Sequence, residues 1–144
     1  MNGLTTVIEQ LRENSRQYIR HLGVLKPYSA DNITITQFNA MIELQSKPIE
    51  VTEMARLLKI DKSNASRALK QLENKGLVES YPSELDGRKK LSTLTEKGFK
   101  RVREIDLSIS QKIDKALQTL SDEECQLILQ GMNLYIKALQ ETHK

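Results

Sequence analysis

The chain has one cysteine, Cys125, no tryptophan, three prolines, four tyrosines and two phenylalanines in 144 residues. A single thiol cannot close an internal disulfide, so a secreted disulfide scaffold is excluded and a reducing cytoplasm is the expected setting. No apolar run approaches the ~20 residues that span a bilayer. The opening MNGLTTVIEQLREN lacks a basic cluster followed by an unbroken apolar stretch, so neither a secretion signal nor a membrane span is expected. Histidine is almost missing too: His21 and His143 are the only two. With Cys125 standing apart from any residue at metal-ligand spacing, no metal site and no cofactor are expected. There is no glycine-rich phosphate loop, and no nucleophile, base and orienting acid can be assembled from so few candidates, so enzyme activity is not expected either. The scarcity of aromatics argues against stacking on single-stranded RNA, since only Tyr81 lies near the basic region. A chain of this length buries roughly 70% of its unfolded surface, enough for one compact domain or two small ones sharing a core.

What the chain does have is unevenly placed charge. The net charge is +3, but residues 1 to 49 carry +1, residues 50 to 103 carry +5 and residues 104 to 144 carry −3. A polyanion would find its partner in the middle third. The same excess on a solvated surface needs no partner, so charge alone does not decide.

Apolar spacing divides the chain into elements. Leu4, Val7, Ile8, Leu11, Tyr18, Ile19 and Leu22 recur at steps of three and four, predicting a helix over about 4–22. Gly23 and Pro27 end it, and 26–32 reads as a loop. Thr34 with Gln37 makes a capping box for a helix over about 35–45, which Ser46, Lys47 and Pro48 break. Residues 49–51 read as extended, and Thr52 is placed as the N-cap of a short helix over 53–58. After a turn at Lys59, Ile60 and Asp61, Asp61 caps another helix, with Ala65, Leu69 and Leu72 inward and Ser63, Asn64, Arg67, Lys70 and Gln71 outward. Asn74, Lys75 and Gly76 stop it, Gly76 suiting a left-handed cap. The period then changes. Residues 77–81 and 90–94 form a hairpin across a loop of turn-favouring residues. Thr95 caps a long helix with the stripe Phe99, Val102, Ile105, Ile109, Ile113, Ala116 and Leu120. Ser121 and Glu124 form a second capping box, and the last helix carries Cys125, Ile128, Met132, Tyr135 and Leu139, widened by Leu129 and Ile136.

A short helix, a tight turn and a second helix with alanines on its inner face form a helix-turn-helix, in which Ala55 and Ala65 allow close crossing, Ile60 plugs the corner and Leu58 and Leu69 supply core. A plain helical hairpin fits equally well until the basic β-hairpin is added, which makes it a winged helix. The outward Ser63, Asn64 and Arg67 lie near the start of the second helix, where side chains meet base edges in the major groove. Lys62, Ser66 and Lys70 are placed for phosphate. In the loop, Arg88, Lys89 and Lys90 reach toward the minor groove, with Asp86 holding Arg88 by a charge-assisted bond.

The stretch IEVTEMARLLKIDKSNASRALKQLENKGLVESYPSELDGRKKLSTLTEKGF resembles the winged helix of the MarR family of bacterial and archaeal transcriptional regulators. The matching marks are D-K-S-x-x-S-R (Asp61 to Arg67), L-E-x-K-G-L-V (Leu72 to Val78), D-x-R (Asp86, Arg88) and L-T-E-K-G (Leu94 to Gly98). The order of elements is similar over nearly the whole chain. The expected fold is mainly α: a winged helix-turn-helix with a small β-hairpin wing, flanked by N- and C-terminal helices forming a helical dimerisation region. The expected divisions are 1–33 for the N-terminal helix and loop, 34–97 for the DNA-binding region and 98–144 for the closing helices.

The resemblance implies a homodimeric regulator, most often a repressor, on a pseudo-palindromic double-stranded operator. Its recognition helix, about 62–75, would enter the major groove and its wing, about 82–90, the minor groove. The implied DNA-contacting set is Thr52, Lys62, Ser63, Asn64, Ser66, Arg67, Lys70, Asp86, Arg88, Lys89 and Lys90. Gly87 departs from the pattern, standing where the wing is often basic. The family also implies a small-molecule effector pocket between the dimer helices and the winged helix, for which Tyr18, Tyr28, Phe38 and Met41 are candidates, each equally suited to core filling. Some relatives sense oxidants through a first-helix thiol, which this chain lacks; Cys125 reads as packing rather than as a sensor. Dimerisation also has support from the residues alone: the wide apolar stripes of the first and last helices exceed what a small winged-helix core can cover, and a two-fold interface buries them. The competing reading is a winged-helix protein-interaction module without specific DNA binding.

Overall fold

The computed structural model describes residues 3–24, 26–28 and 31–142; His143 and parts of the 26–32 loop lie outside them. Among the described residues, six helices and a small three-stranded antiparallel sheet follow in the order α1 (Gly3–Leu22), α2 (Ile35–Leu44), β1 (Ile49–Glu50), α3 (Val51–Leu58), α4 (Lys62–Asn74), β2 (Val78–Pro82), β3 (Lys90–Leu94), α5 (Glu96–Leu117) and α6 (Asp122–Thr142). The contacts divide the chain into two compact units, one ending at Leu107 and one beginning at Ser108.

The expected caps of α2 and α4 form. At α2, Thr34 Oγ1 accepts from the Gln37 N–H at 3.2 Å and Gln37 Oε1 accepts from the Thr34 N–H at 3.2 Å, so both halves of the box are made. Asp61 caps α4 by accepting from the Asn64 N–H at 2.7 Å. Between α3 and α4, Lys59 takes left-handed dihedrals (φ 59°, ψ 40°), and the Ile60 N–H returns to the Ala55 carbonyl. That closure turns the chain within three residues and lets the buried faces of α3 (Met54, Ala55) and α4 (Ala65, Ala68, Leu69, Leu72) meet. Gly76, at φ 75°, ends α4, with the Leu77 N–H bonded to the Leu72 carbonyl.

Three details differ from the expectation. Thr52 is not the cap of α3: the helix starts two residues earlier, at Val51, with Glu50 as an N-cap that makes no side-chain capping bond. The reason lies in the sheet, because Ile49 and Glu50 pair with Ser92 and Leu91 of β3 and the strand runs straight into the helix. The wing is accordingly a three-stranded sheet in the order β1-β3-β2 rather than a bare hairpin. β2 is shifted one residue along, to Val78–Pro82, pairing Val78 with Leu94 and Pro82 with Lys90. Pro82 lacks an N–H to give to the ladder and is tolerated because β2 is an edge strand. Finally, α5 stops at Leu117, so Leu120 lies beyond it; the Thr119 and Leu120 N–H groups turn back to the carbonyls of Ala116 and Leu117.

In the first unit the core gathers Ile33, Phe38, Met41, Leu44, Met54, Leu72, Leu77, Val78 and Leu94, closed by Val102 and Ile105 of α5. Gly98 sits where α5 passes the Leu77 carbonyl so closely that a Cβ would overlap its oxygen. Thr95 Oγ1 secures the same junction, donating to the Gly76 carbonyl at 2.7 Å and accepting from the Gly98 N–H at 3.0 Å. In the second unit, Ser121 and Glu124 make their capping box at the start of α6. Cys125 is half-buried, its thiol 3.8 Å from the Leu117 carbonyl. Neither α1 nor α6 buries a single residue. Leu4, Val7, Ile8 and Leu11 of α1 and Ile128, Leu129, Met132, Tyr135, Ile136 and Leu139 of α6 are all exposed. Among the described residues no helix is long and apolar enough to cross a membrane.

Candidate nucleic-acid interface

The buried alanines and leucines of α4 leave its opposite side to Lys62, Ser63, Asn64, Ser66, Arg67, Lys70 and Gln71, all exposed. Small inner residues let α4 sit close to α3, so the polar side stands out from the body. The wing rises beside it. Its tip is closed by the Ser83 N–H bonded to the Lys89 carbonyl and the Lys89 N–H bonded to the Asp86 carbonyl. Within this loop Asp86 Oδ1 accepts from the Arg88 backbone N–H at 3.1 Å and from Arg88 Nε at 3.4 Å. The Arg88 side chain is nevertheless 92% exposed, tethered at its base and open at its guanidinium end.

Between α4 and the wing lies a groove of about 420 Å³, lined by Thr52, Lys62, Ser66, Lys70, Arg88, Lys89 and Lys90 together with Glu50, Glu73, Ser80 and Ser92. Seven of the eleven site residues expected from different parts of the sequence thus share one concave surface, which Ser63, Asn64, Arg67 and Asp86 do not line. A second groove of about 380 Å³ runs along the other flank of α4, lined by Asn64 and Arg67 with Thr34, Thr36, Gln37, Ile60, Ala68 and Gln71.

The electrostatics favour an anion in the first groove, with two acidic residues restraining the cations. Lys70 Nζ lies 3.9 Å from Glu73 Oε2, and Lys89 Nζ lies 3.8 Å from Glu50 Oε1. Glu50 and Glu73 were not singled out from the sequence. The i, i+3 spacing of Lys70 and Glu73 could have flagged one pair; the other arises only once β1 joins β3. Exposed pairs at these distances are weak, so an approaching phosphate can take over either lysine. At the head of α4 the Asp61 carboxyl is held below the usual carboxylate range, chiefly by the Asn64 N–H, then by the Ser63 hydroxyl, with a smaller contribution from the Arg67 charge. It therefore stays ionised and keeps its cap through any near-neutral condition. Gln37 also works beyond its cap, giving Nε2 to Gln71 Oε1 at 2.7 Å and accepting from Lys75 Nζ at 2.8 Å, which ties α2 to the outer half of α4. Burial pushes the Lys75 ammonium down from its ordinary range. Neither of these two links has a local sequence signal, because each joins residues more than 30 apart.

The effector candidates do not share one surface. Tyr18 is exposed on α1, while Phe38 and Met41 are buried in the core. Tyr28 packs edge-on against Phe38, ring centroids 5.3 Å apart, and its buried hydroxyl has no hydrogen-bond partner among the described residues. Among the described residues no group of three or more His, Cys, Asp or Glu side chains could hold a metal ion.

Comparison with known proteins agrees with this geometry. The MarR family model matches residues 33–90, from the entry to α2 through the tip of the wing. The chain is similar to the uncharacterized HTH-type transcriptional regulator YfiV of Bacillus subtilis, 27% identical over 124 residues covering 85% of this chain and 78% of that one. Its fold matches that of Streptococcus pneumoniae FabT, crystallised in complex with DNA, with a TM-score of 0.77 at 20% identity over 96% of this chain and 98% of that one. It also matches the Streptomyces coelicolor transcriptional regulator PcaV, crystallised with its natural ligand, with a TM-score of 0.72 at 17% identity over 96% and 97% of the two chains. A helix-turn-helix with a basic wing, matched by the MarR family model over residues 33–90 where the basic groove lies, makes the winged helix of this chain similar to that of the MarR family of transcriptional regulators.

Proposed function

We propose that the chain binds a pseudo-palindromic double-stranded operator as a homodimer and represses transcription from it in the cytoplasm. The observation that carries this reading is the basic groove, in which Lys62 and Lys70 of α4 face Arg88, Lys89 and Lys90 of the wing. An α-helix standing proud of its body fits the major groove, and a protruding loop with a tethered arginine fits the minor groove. The Ser63, Asn64 and Arg67 face of α4 meets the bases. Thr52, Lys62, Ser66 and Lys70 contact phosphate, and Arg88, supported by Asp86 and flanked by Lys89 and Lys90, enters the minor groove. That FabT was crystallised with DNA supports the polyanion as ligand.

The exposed apolar faces of α1 and α6 supply the two-fold interface, so that 1–33 and 98–144 serve dimerisation and 34–97 serves DNA. Two copies present two recognition helices about 34 Å apart, one helical turn, and an inverted repeat follows. PcaV, crystallised with a ligand, supports release by a small-molecule effector. Such an effector must bind the DNA-incompetent spacing of the two α4 helices more tightly than the competent one, since equal affinity shifts nothing.

Selection of bound sequences from a random duplex library at physiological salt tests the reading. An inverted repeat with half-site centres about one turn apart is expected. Weak binding that depends on salt and enriches no motif would overturn it, leaving only phosphate contact.

A further inference from the structure

Asn64 and Arg67 are one turn apart on the exposed side of α4 and are bonded to each other, Arg67 Nη1 donating to Asn64 Oδ1 at 2.8 Å. The other end of the same amide is also held, with Nδ2 donating to Asp61 Oδ2 at 3.1 Å. Asp61 Oδ1 in turn accepts from the Asn64 N–H at 2.7 Å and from the Ser63 hydroxyl at 2.9 Å. A carboxylate only accepts and a guanidinium only donates, so the orientation of the amide between them is determined.

This arrangement bears on which side chain reads which base. An asparagine that grips adenine must accept from N6 through Oδ1 and donate to N7 through Nδ2 at the same time. In Asn64 each of those atoms already has a partner, Arg67 on Oδ1 and the capping Asp61 on Nδ2, so a gripped adenine would have to share or displace both. Arg67 is different: its bond to Asn64 engages Nη1, and the Nε and Nη2 edge is the fork that matches guanine O6 and N7. Fixing a long, flexible side chain before the encounter also removes part of the ordering cost of binding.

We propose that Asn64 is a positioning residue, the middle of an Asp61–Asn64–Arg67 chain that aims Arg67 at a single guanine, so that the two side chains specify one base pair per half-site rather than two. The proposal rests on the DNA-binding reading above and concerns the division of labour within it.

The test repeats the duplex selection with the full chain and with Arg67→Ala, Asn64→Ala and the double variant. Asn64 is exposed, and Asp61 caps α4 through the backbone N–H that alanine retains, so the variants keep their fold, which thermal melts check. Arg67→Ala is expected to flatten the preference at one G·C pair by about 5- to 150-fold. Asn64→Ala should weaken the preference at that same pair by a smaller factor and leave every A·T position as in the parent chain, and the double variant should be no worse than Arg67→Ala. Loss at a separate A·T position on Asn64→Ala, or losses that multiply in the double variant, would overturn the proposal while leaving base reading by α4 intact. If Arg67→Ala changed no position, the base-reading assignment would fail and the proposal with it.

Discussion

Arg67 and Lys70 are neighbours on α4 for which different tasks are proposed, and single substitutions separate them. Arg67→Ala should weaken specific binding by about 1 to 3 kcal/mol and blur base choice, whereas Lys70→Ala should weaken all duplexes alike and reduce the salt slope by about 1. Affinity measured on matched and mismatched duplexes across a salt series distinguishes the two, and a uniform loss in both variants would contradict the roles. Gly87 offers the opposite kind of change. A Cβ there meets nothing within 4 Å, so Gly87→Lys is free of steric cost and adds a cation to the wing. It should strengthen binding to any duplex at low salt and steepen the salt dependence by about 0.9 in slope; an unchanged slope would mean that the tip does not approach phosphate. The outward residues of α4 were legible in the sequence because helix period alone assigns them a face. The bonds among them were not, since a side chain on the right face can be aimed at solvent, at DNA or at its neighbour.

At the scale of elements, legibility followed the range of the causal interaction. The capping pairs Thr34 with Gln37 and Ser121 with Glu124 act over three residues, and both could be read directly. The start of α3 could not, because β1 exists only through its pairing with Ser92 and Leu91, some forty residues on. Thr52, a good cap by type, was thereby left inside the first turn. The junction of α4, β2 and α5 is a third case. Gly98 could be read as part of a family motif, but its necessity appears only where α5 crosses the Leu77 carbonyl. Gly98→Ala should destabilise the fold by about 2 to 3 kcal/mol, the cost of forced overpacking against backbone that cannot yield. Denaturant unfolding measures this directly, and a variant as stable as the parent would show that α5 can shift at this crossing without cost.

At the scale of the molecule, the stripes of α1 and α6 were legible as apolar and excessive for one small core. The single chain leaves them uncovered, α6 running 21 residues without a buried side chain. Exposed apolar stripes of this kind mark interaction surfaces, and the proposed two-fold contact would cover them with no other component. Ile128 is 49% exposed in the single chain, so Ile128→Glu costs the isolated fold little. It should place a charge in the dimer contact, shift sedimentation from dimer to monomer and lower operator affinity in step. A variant that remained dimeric would remove α6 from the interface.

The most direct test of the central claim, a dimer reading an inverted repeat, is a titration of the purified chain against the selected duplex and a scrambled duplex of equal length at physiological salt. The account predicts two chains per selected duplex and an affinity at least about 10³-fold above that for the scrambled one. Equal affinity for both duplexes, or saturation at one chain per site, would contradict it.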